Sequence, residues 1–226
     1  MPRHADPTAK DALIAAARAE FARRGIRGAR VEDITAACAL SKGAFYLHFE
    51  SKEALFAGLV RGFQERMGSF VSERERRMAD LFARRGPLEP SDFLEQTERY
   101  REMVAIDTSL DLATLETMWE YRDVVGVLVR GSQGTPFEGT IWEMVESEVA
   151  RCRGTFETFQ GQNACRSDIP GELFGSLIVG TYLLLAVRMS RMEEKPDLHS
   201  WAVSLQTLIN EGSRPPANTA SRGSRL

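Results

Sequence analysis

The sequence is poor in the residues that build metal sites. It has three cysteines, none in a C-x-x-C arrangement, and three histidines, at positions 4, 48 and 199, that form no cluster. Protein metal sites need histidine, cysteine or carboxylate ligands at short spacings, so no metal site and no cofactor are predicted. The sequence also shows no nucleophile–base pair and no carboxylate dyad, and we therefore expect no enzyme.

An N-terminal secretory segment is missing as well, because the first residues are charged and contain no apolar stretch. Together with the odd number of cysteines, this favours reduced thiols in a cytoplasmic protein. Cys152 and Cys165 leave a thiol sensor open as an alternative, although inert cysteines are much more common.

Proline and strand-like patterns are scarce. The chain has nine prolines among 226 residues, and no segment alternates apolar and polar side chains as a half-buried strand does. The longest charge-free apolar run, Leu173–Val187, has 15 residues and falls short of the ~20 that span a bilayer. These absences predict a soluble all-α protein with no membrane partner, in which this run is a buried helix.

An excess of positive charge is also lacking. Lysine and arginine total 29 against 32 aspartates and glutamates, a net charge of −3, which excludes nucleic-acid binding by bulk charge. The charge is uneven, because residues 1–55 hold nine basic and seven acidic side chains and the remaining residues hold 20 and 25. A slightly basic head on an acidic body is consistent with a small anion-binding module.

Apolar residues recur at helical spacing along most of the chain and predict about nine helices. Three of them occupy residues 1–50, and the tight connection Ala39-Leu40 between the second and third is typical of a helix-turn-helix unit. Residues 51–211 are predicted to form a second helical domain. Residues 212–226 have no apolar period and are predicted to be a disordered tail.

The most specific pattern surrounds the third helix. It reads SKGAFY at residues 41–46, HF at 48–49, SKE at 51–53 and LF at 55–56. This pattern resembles the DNA-binding signature of the TetR family of bacterial transcriptional regulators, in which the third helix enters the major groove. The resemblance covers about the first quarter of the chain. It implies an N-terminal helix-turn-helix DNA-binding domain followed by a helical ligand-binding and dimerisation domain.

Polar residues of this pattern fit contact with the backbone of a DNA duplex. Lys42 and Lys52 are cations able to neutralise phosphates, and Lys52 is predicted to lie in the first turn of a helix, where an anion is also favoured. Tyr46 and His48 carry short hydrogen-bonding tips that position a protein on DNA without reading its sequence.

Small residues allow the helix to come close to the bases. Gly43 permits a close approach of the helix backbone, and Thr35 and Ala44 are small enough to meet base edges. The predicted DNA-binding residues are Arg30, Thr35, Ser41, Lys42, Gly43, Ala44, Tyr46, His48 and Lys52.

The sequence departs from the family's pattern at two positions. Ala39 stands where the turn before the recognition helix usually has glycine, and alanine costs on the order of 1 kcal/mol if that turn needs a positive φ. Ala29-Arg30 stands where a threonine usually caps the second helix; losing such a cap costs ~1 kcal/mol, although Arg30 adds a possible phosphate contact.

The resemblance implies that the helices after Phe56 hold a small-molecule effector and that the last two long helices pair with their copies in a homodimer. Leu173–Val187 is apolar nearly all round and contains small residues, which agrees with close helix packing; a central helix within one chain is the alternative. Methionine and aromatic side chains suit a deformable pocket for an apolar or aromatic effector. The candidate effector-binding residues are Phe63, Met67, Met103, Met118, Trp119, Trp142, Phe156 and Tyr182. The candidate dimerisation residues are Leu173, Leu177, Gly180, Leu184, Trp201, Leu205 and Leu208.

The leading hypothesis is therefore a homodimeric, ligand-responsive transcriptional regulator. The resemblance favours a repressor that an effector releases from a near-palindromic operator in double-stranded DNA. One alternative is an all-helical enzyme or ligand carrier in which the N-terminal helix-turn-helix is only structural. Another is a DNA-binding protein of fixed activity with a solid body and no effector.

Overall fold

The computed structural model describes residues 7–214 of the chain. Within this range there are ten helices and no strand, which confirms the all-α prediction with one helix beyond the nine or so expected. The helices are α1 (Pro7–Gly28), α2 (Val31–Ala37), α3 (Lys42–His48), α4 (Lys52–Arg85), α5 (Pro90–Glu95), α6 (Glu98–Glu120), α7 (Arg122–Arg130), α8 (Thr140–Gly161), α9 (Gly171–Met189) and α10 (Leu198–Ser213).

The helices form two compact units. Among the described residues, the head unit contains 7–66 together with Met118–Glu143 and Ala186–Met192. The body unit contains Met67–Thr117, Met144–Leu185 and residues 193–214. The domain boundary at residue 50 stays a prediction, and the compact unit that holds the helix-turn-helix takes in segments far beyond it.

Helix α1 supplies much of the head core. Leu13, Ala17 and Phe21 recur every four residues on one side of the helix and are at most 1% exposed. The helix is interrupted at Gly25, whose φ of 67° lies in the left-handed region that favours glycine. Residues 26–28 continue the helix beyond this glycine, before α2 begins.

Helix α7 is the element that sequence reasoning missed. Its central residues, Val124 to Leu128, are all buried, and a short continuous apolar run has no period that distinguishes a buried helix from a strand. The helix packs on α1, where Arg18 forms a two-point ion pair with Asp123 at 2.7 and 2.6 Å. At the other end of α7 the backbone of Gly131 touches that of Gly25, since a Cβ added at Gly25 would lie 3.0 Å from the Gly131 carbonyl oxygen.

Residues 90–120, most of which lie in the body unit, form one short and one long helix. A short helix, α5, ends at Glu95 because Gln96 adopts a left-handed conformation with φ of 52°. The long helix α6 then runs from Glu98 to Glu120. One body core cluster contains the buried side chains of Met78, Leu81, Phe93, Tyr100, Met103 and Ala164.

Helix α9 differs from the expectation of a buried helix. Leu173, Leu177 and Leu184 are 58%, 62% and 60% exposed, because only one face of the helix meets neighbours in the chain. By length and composition α9 is able to cross a membrane, although only 17% of that span is buried and an apolar helix of a soluble protein passes the same test. Its exposed leucines therefore need an explanation outside the single chain.

The last described helix extends past the predicted start of the tail. The final helix, α10, includes Gly212 and Ser213, which the sequence analysis assigns to a disordered segment at 212–226. The remainder of that predicted tail, residues 215–226, lies outside the described residues.

Candidate DNA-binding surface and effector cavity

The turn between α2 and α3 is held by two backbone hydrogen bonds. The Ala39 N–H donates to the Ala36 carbonyl at 3.2 Å, and the Leu40 N–H donates to the Thr35 carbonyl at 2.9 Å. This pairing is the Schellman arrangement that ends many helices, and it requires a left-handed residue where Ala39 stands. Ala39 has φ of 55°, so the alanine that replaces the family's glycine is strained, as the sequence analysis foresaw.

Helix α3 is capped at its start and anchored by a buried aromatic side chain. The Ser41 hydroxyl accepts a hydrogen bond from the Ala44 N–H at 3.1 Å and caps the helix. Phe45 is fully buried and packs against Phe49, with ring centroids 5.5 Å apart. Since one side of the helix is fixed in the core, the opposite side faces away from the head unit.

That outer side is formed by four residues. Lys42 and Gly43 are exposed, Tyr46 is 57% exposed and Leu47 is 56% exposed. Sequence reasoning selected the first three and missed Leu47, which has neither a polar group nor the small size by which the other contacts were chosen. An exposed leucine on a recognition helix can contact a thymine methyl group.

Gly43 has no role inside the chain that requires glycine. A Cβ added there would meet only the Ser41 Oγ, at an ordinary 3.6 Å. Glycine within a helix is less stable than alanine by roughly 0.5–1 kcal/mol. A glycine that weakens its own helix without relieving a clash is consistent with a close approach by a partner outside the chain.

Lys42 forms an ion pair with Glu32 of α2, and both side chains are about half exposed. The hydrogen bond between them raises the pKa of Lys42 and lowers the pKa of Glu32. Because exposed pairs of this kind contribute little to stability, Lys42 can exchange its carboxylate for a phosphate. Arg30 is exposed directly before α2 and makes no side-chain cap, as expected for its position.

Lys52 is placed differently from the prediction. Its ammonium donates to the carbonyl oxygens of Ala29 at 2.7 Å and Arg27 at 3.3 Å, and its side chain is only 19% exposed. These carbonyls lie where the chain leaves α1, so the lysine is held inside the head unit. The assignment of Lys52 to a DNA phosphate is therefore corrected: two of its three donors bind backbone carbonyls of the chain, and the Glu53 carboxylate lies 3.8 Å away.

Thr35 is also removed from the DNA-binding set. It is 4% exposed, and its hydroxyl donates to the Glu32 carbonyl at 3.1 Å. A buried side chain cannot meet a base edge. Ala44 and His48 are partly exposed at the margins of the outer side of α3, where they remain candidates.

The body unit contains a cavity of about 220 Å³. It lies among α4, α5, α6, α8, α9 and α10, and its lining combines aromatic side chains with several polar groups. The lining includes Arg74, Phe93, Tyr100, Met103, Asp107, Asp111, Arg151, Cys152, Phe156, Phe159, Cys165, Phe174, Tyr182, Gln206, Asn210 and Arg214.

Three of the eight predicted effector-binding residues, Met103, Phe156 and Tyr182, line this cavity. The other five do not line it, and we withdraw them from the effector set. Phe63 and Trp119 pack within the head unit. The ring centroids of Phe63 and Tyr121 are 5.6 Å apart, and the Arg122 guanidinium lies 4.0 Å from the centroid of the Trp119 ring. The remaining residues are the buried Met118, the half-buried Met67 and the 55% exposed Trp142.

Asp111 is a buried carboxylate of the cavity wall that sequence reasoning missed. Its carboxylate accepts a hydrogen bond from the Gln206 amide at 2.6 Å, and Asn210 in turn donates to the Gln206 side-chain oxygen at 3.0 Å. The Tyr182 hydroxyl is buried beside Asp111 without a hydrogen bond of ordinary geometry. Burial raises the pKa of Asp111 to about 6. Since Gln206 is 95 positions away, no local sequence signal could have identified this carboxylate.

The cysteines give little support to a thiol sensor. Burial raises the pKa of Cys165 to about 11, and it also raises the pKa of Cys152. The reactive form of cysteine is the thiolate, so both shifts lower reactivity near neutral pH. The three cysteines are free thiols, and in the described part of the chain no three metal-ligating side chains cluster.

The predicted dimerisation residues lie on α9 and α10. Leu173, Leu177, Gly180 and Leu184 are exposed on one side of α9, and Leu208 of α10 is 71% exposed. The two others, Trp201 and Leu205, are partly buried. The opposite side of α9 is tightly packed: Phe174 stacks on Phe156 of α8 with ring centroids 3.9 Å apart. The helix thus has one face fixed in the body and one apolar face left open.

Comparison with known proteins supports this arrangement at the level of the head. Residues 13–59 match the sequence model described as bacterial regulatory proteins, tetR family. The HTH-type transcriptional repressor DhaR of Mycobacterium sp. (strain GP1) is 60% identical over 40 residues, 18% of this chain and 20% of DhaR. The HTH-type transcriptional regulator UidR of Escherichia coli (strain K12) is 39% identical over 66 residues, 29% of this chain and 33% of UidR. The matches span only 12% to 33% of the length of the first curated relatives.

Solved structures match nearly the whole chain. The ketosteroid transcriptional regulator KstR2 of Mycobacterium tuberculosis superimposes with a TM-score of 0.62 at 19% identity, over 93% of this chain and 97% of KstR2. At this identity the likeness shows the fold. The fold and the signature together define a helix-turn-helix protein with a helical body, which favours a regulator over the enzyme or carrier considered above. Residues 13–59 match the tetR family of bacterial regulatory proteins, and the remainder of the chain shares its fold with KstR2.

Proposed function

We propose that this protein is a homodimeric transcriptional regulator of the cytoplasm that binds a near-palindromic operator in double-stranded DNA and responds to a small-molecule effector. The observation that carries this proposal is the outer side of α3. There Lys42, Gly43, Tyr46 and Leu47 are exposed on a capped helix whose opposite side is fixed by the buried Phe45. Arg30 adds a cation at the start of α2.

The open apolar face of α9 supports dimerisation. Isolated exposed leucines are ordinary on a protein surface, but several at helical spacing on one helix mark an interaction surface. Gly180 lies within this face and leaves room for a close approach by a second helix. A two-fold dimer places its recognition helices about 34–36 Å apart, which suits two half-sites separated by one turn of DNA.

The cavity supports response to an effector. It combines apolar walls with a few polar groups, the usual construction of a small-molecule site. Coupling between two sites is reciprocal, so operator DNA must weaken effector binding by the factor by which the effector weakens DNA binding. Repression is the simplest regulatory sign for such a protein, because the form without effector occupies the DNA.

The decisive experiment is selection of bound fragments from random or genomic DNA, followed by footprinting. We expect protected sites with two-fold symmetry and half-sites about 10–10.5 base pairs apart, or a small multiple of that spacing. A well-folded protein that selects no sequence and protects no site would overturn the proposal.

A further inference from the structure

We propose that the effector carries an organic cation, such as a protonated amine on an aromatic frame, and that this group pairs with Asp111 inside the body cavity. The inference rests on the proposed function and deepens it by naming the chemical class of the effector.

The first argument is the charge balance of the cavity wall. Each arginine of the wall already has a carboxylate within ion-pair distance. Arg74 pairs with Asp107 at 2.7 Å, Arg151 with Glu148 at 2.8 Å and Arg214 with Glu211 at 3.1 Å. An anionic effector would have to compete with these carboxylates for its partners, except at the Arg214 Nε, which is buried without a hydrogen-bond partner.

Asp111 is in the opposite situation. No cationic side chain among the described residues forms an ion pair with it; the neutral Gln206 donates a hydrogen bond to it, and the neutral Tyr182 hydroxyl lies beside it. Asn210 holds the Gln206 side-chain oxygen, so the amide presents its N–H to the carboxylate. The protein therefore positions this carboxylate without neutralising it.

The second argument is the desolvation of that carboxylate. Burial raises the pKa of Asp111 to about 6, which means that the protein bears a cost when the group is ionised at neutral pH. Shifts of this kind, in a cavity and with no structural partner for the charge, are typical of functional groups. A cationic ligand would restore the missing partner.

The third argument is the aromatic lining. Six aromatic side chains border the cavity: Phe93, Tyr100, Phe156, Phe159, Phe174 and Tyr182. The face of an aromatic ring attracts a cation through its quadrupole, and the attraction increases when water is excluded. A carboxylate within an aromatic enclosure favours a flat, cationic molecule over a neutral one of the same shape. The volume of about 220 Å³ restricts the occupant to a small compound.

The test uses three probes with one aromatic frame and different charges: 1-naphthylmethylamine, 1-naphthylmethanol and 1-naphthoate. Binding to the full chain is measured by calorimetry at pH 7.5. The amine should bind at least about tenfold more tightly than the alcohol and the carboxylate, since a close charge pair in a desolvated site is worth more than that factor. In Asp111→Asn the amine should bind at most about threefold more tightly than the alcohol. Asp168→Asn, which changes a surface carboxylate paired with Arg166, should leave the advantage unchanged.

The pH dependence of amine binding to the unaltered protein tests the inference even if the Asp111→Asn variant fails to fold. Because the cation needs the ionised carboxylate, amine affinity should rise by roughly tenfold per pH unit below pH 6 and level off above it. The affinity of the alcohol should stay constant. Equal binding of amine and alcohol, stronger binding of the naphthoate, or an amine advantage that survives Asp111→Asn would each overturn the inference.

DNA binding is followed separately with an operator selected as described above. The amine should weaken operator binding by the unaltered protein and have no such effect on Asp111→Asn. If the amine binds through Asp111 while DNA affinity stays constant, the cation is not the effector and the inference is overturned. If the protein binds no DNA, the proposed function is wrong. If it binds DNA normally and shows no preference for the amine, this inference alone is wrong.

Discussion

The Lys52 ammonium donates to the Ala29 carbonyl oxygen at 2.7 Å, and this contact ties the first residue of α4 to the chain that leads into α2. A charged donor lost from such a site costs about 1.5–3 kcal/mol. We therefore expect Lys52→Met, which keeps the aliphatic stem, to lower the free energy of unfolding by roughly that amount, measured by denaturant titration. The dependence of DNA affinity on salt should keep its slope.

Lys42→Met is the matched variant for this prediction. Its partner Glu32 is half exposed, so stability should change little. The slope of log affinity against log salt should fall by about 0.9 per lost phosphate contact, or about 2 for a dimer. The reverse pattern, in which Lys52→Met reduces the slope and leaves stability intact, would return Lys52 to the DNA-binding set.

Gly43→Ala should separate stability from DNA binding. The added methyl group meets no clash inside the chain and removes the flexibility of glycine, so the protein should gain roughly 0.5–1 kcal/mol of stability. The same methyl group should weaken operator binding, because it stands between the helix and the duplex. Gly58→Ala on α4, where a Cβ also meets nothing within 4 Å, should stabilise similarly and leave DNA affinity unchanged. Equal DNA affinity for both variants would mean that α3 does not approach DNA at Gly43.

Ala39→Gly should stabilise the helix-turn-helix. Ala39 has φ of 55°, and relief of that strain should outweigh the added freedom of the unfolded chain by about 0.5–1 kcal/mol. Ala37→Gly, two residues earlier and inside α2, should instead destabilise by about 1 kcal/mol. Thermal or chemical unfolding of the two variants measures the contrast. A loss of stability in both would show that the turn does not hold its left-handed residue.

Asp111→Asn should stabilise the protein at neutral pH. A carboxyl whose pKa rises on folding binds protons more tightly in the folded state, so stability declines as pH rises from about 4 to about 6 and is level above that range. With the pKa of Asp111 near 6, the variant should gain up to about 3 kcal/mol at pH 7 and almost nothing at pH 4. Other ionisable side chains also face Asp111, namely Asp107, Arg74, Cys152 and Tyr182. The measurement therefore compares the free energy of unfolding of Asp111→Asn with that of the unaltered protein at each pH.

Asp107→Asn provides the control for this pH dependence. It removes the partner of Arg74, paired at 2.7 Å, one helical turn from Asp111. This variant should be destabilised at neutral pH, opposite in sign to Asp111→Asn. A gain of stability in both, or a gain in Asp111→Asn that is the same at pH 4 and pH 7, would contradict the assignment of an uncompensated charge to Asp111.

Leu177→Glu should convert a dimer to monomers. Leu177 is 62% exposed on the open face of α9, and a charge placed there would be buried without a partner in a dimer. Light scattering after size exclusion measures the mass, and operator affinity should fall with it. Leu94→Glu on α5, where the leucine is 42% exposed, should change neither. Monomeric unaltered protein at micromolar concentration would refute the dimer directly.

Several features of the head could be predicted because they depend on residues close in sequence. Ser41 caps α3 from three residues away, and Ala39 is strained by a turn formed by its immediate neighbours. Helix α7 was not predicted, because its short apolar run has no period that distinguishes a buried helix from a strand. Its burial depends on packing against α1, which is distant in sequence.

Most of the cavity lining was not predicted, because it depends on contacts between helices that are distant in sequence. Met103, Phe156 and Tyr182 were found by their residue type, and the same rule also selected Phe63 and Trp119, which pack within the head. Residue type distinguishes apolar from polar side chains, but it does not distinguish a wall of a cavity from the interior of a core. That distinction depends on which helices meet.

Sequence alone predicted the all-helical class and the helix-turn-helix signature that resembles the tetR family, since periodicity and a short signature depend on residues within a few turns of chain. Tertiary structure decided which charged side chains have partners within the chain and which remain open to a ligand. It turned Lys52 toward carbonyl oxygens of the chain's own backbone, left Lys42 exposed on the outer side of α3, and brought Gln206 to Asp111 while leaving that carboxylate without a cation. The physical reason is that the environment of a charge depends on every group that folding brings around it, most of them remote in sequence.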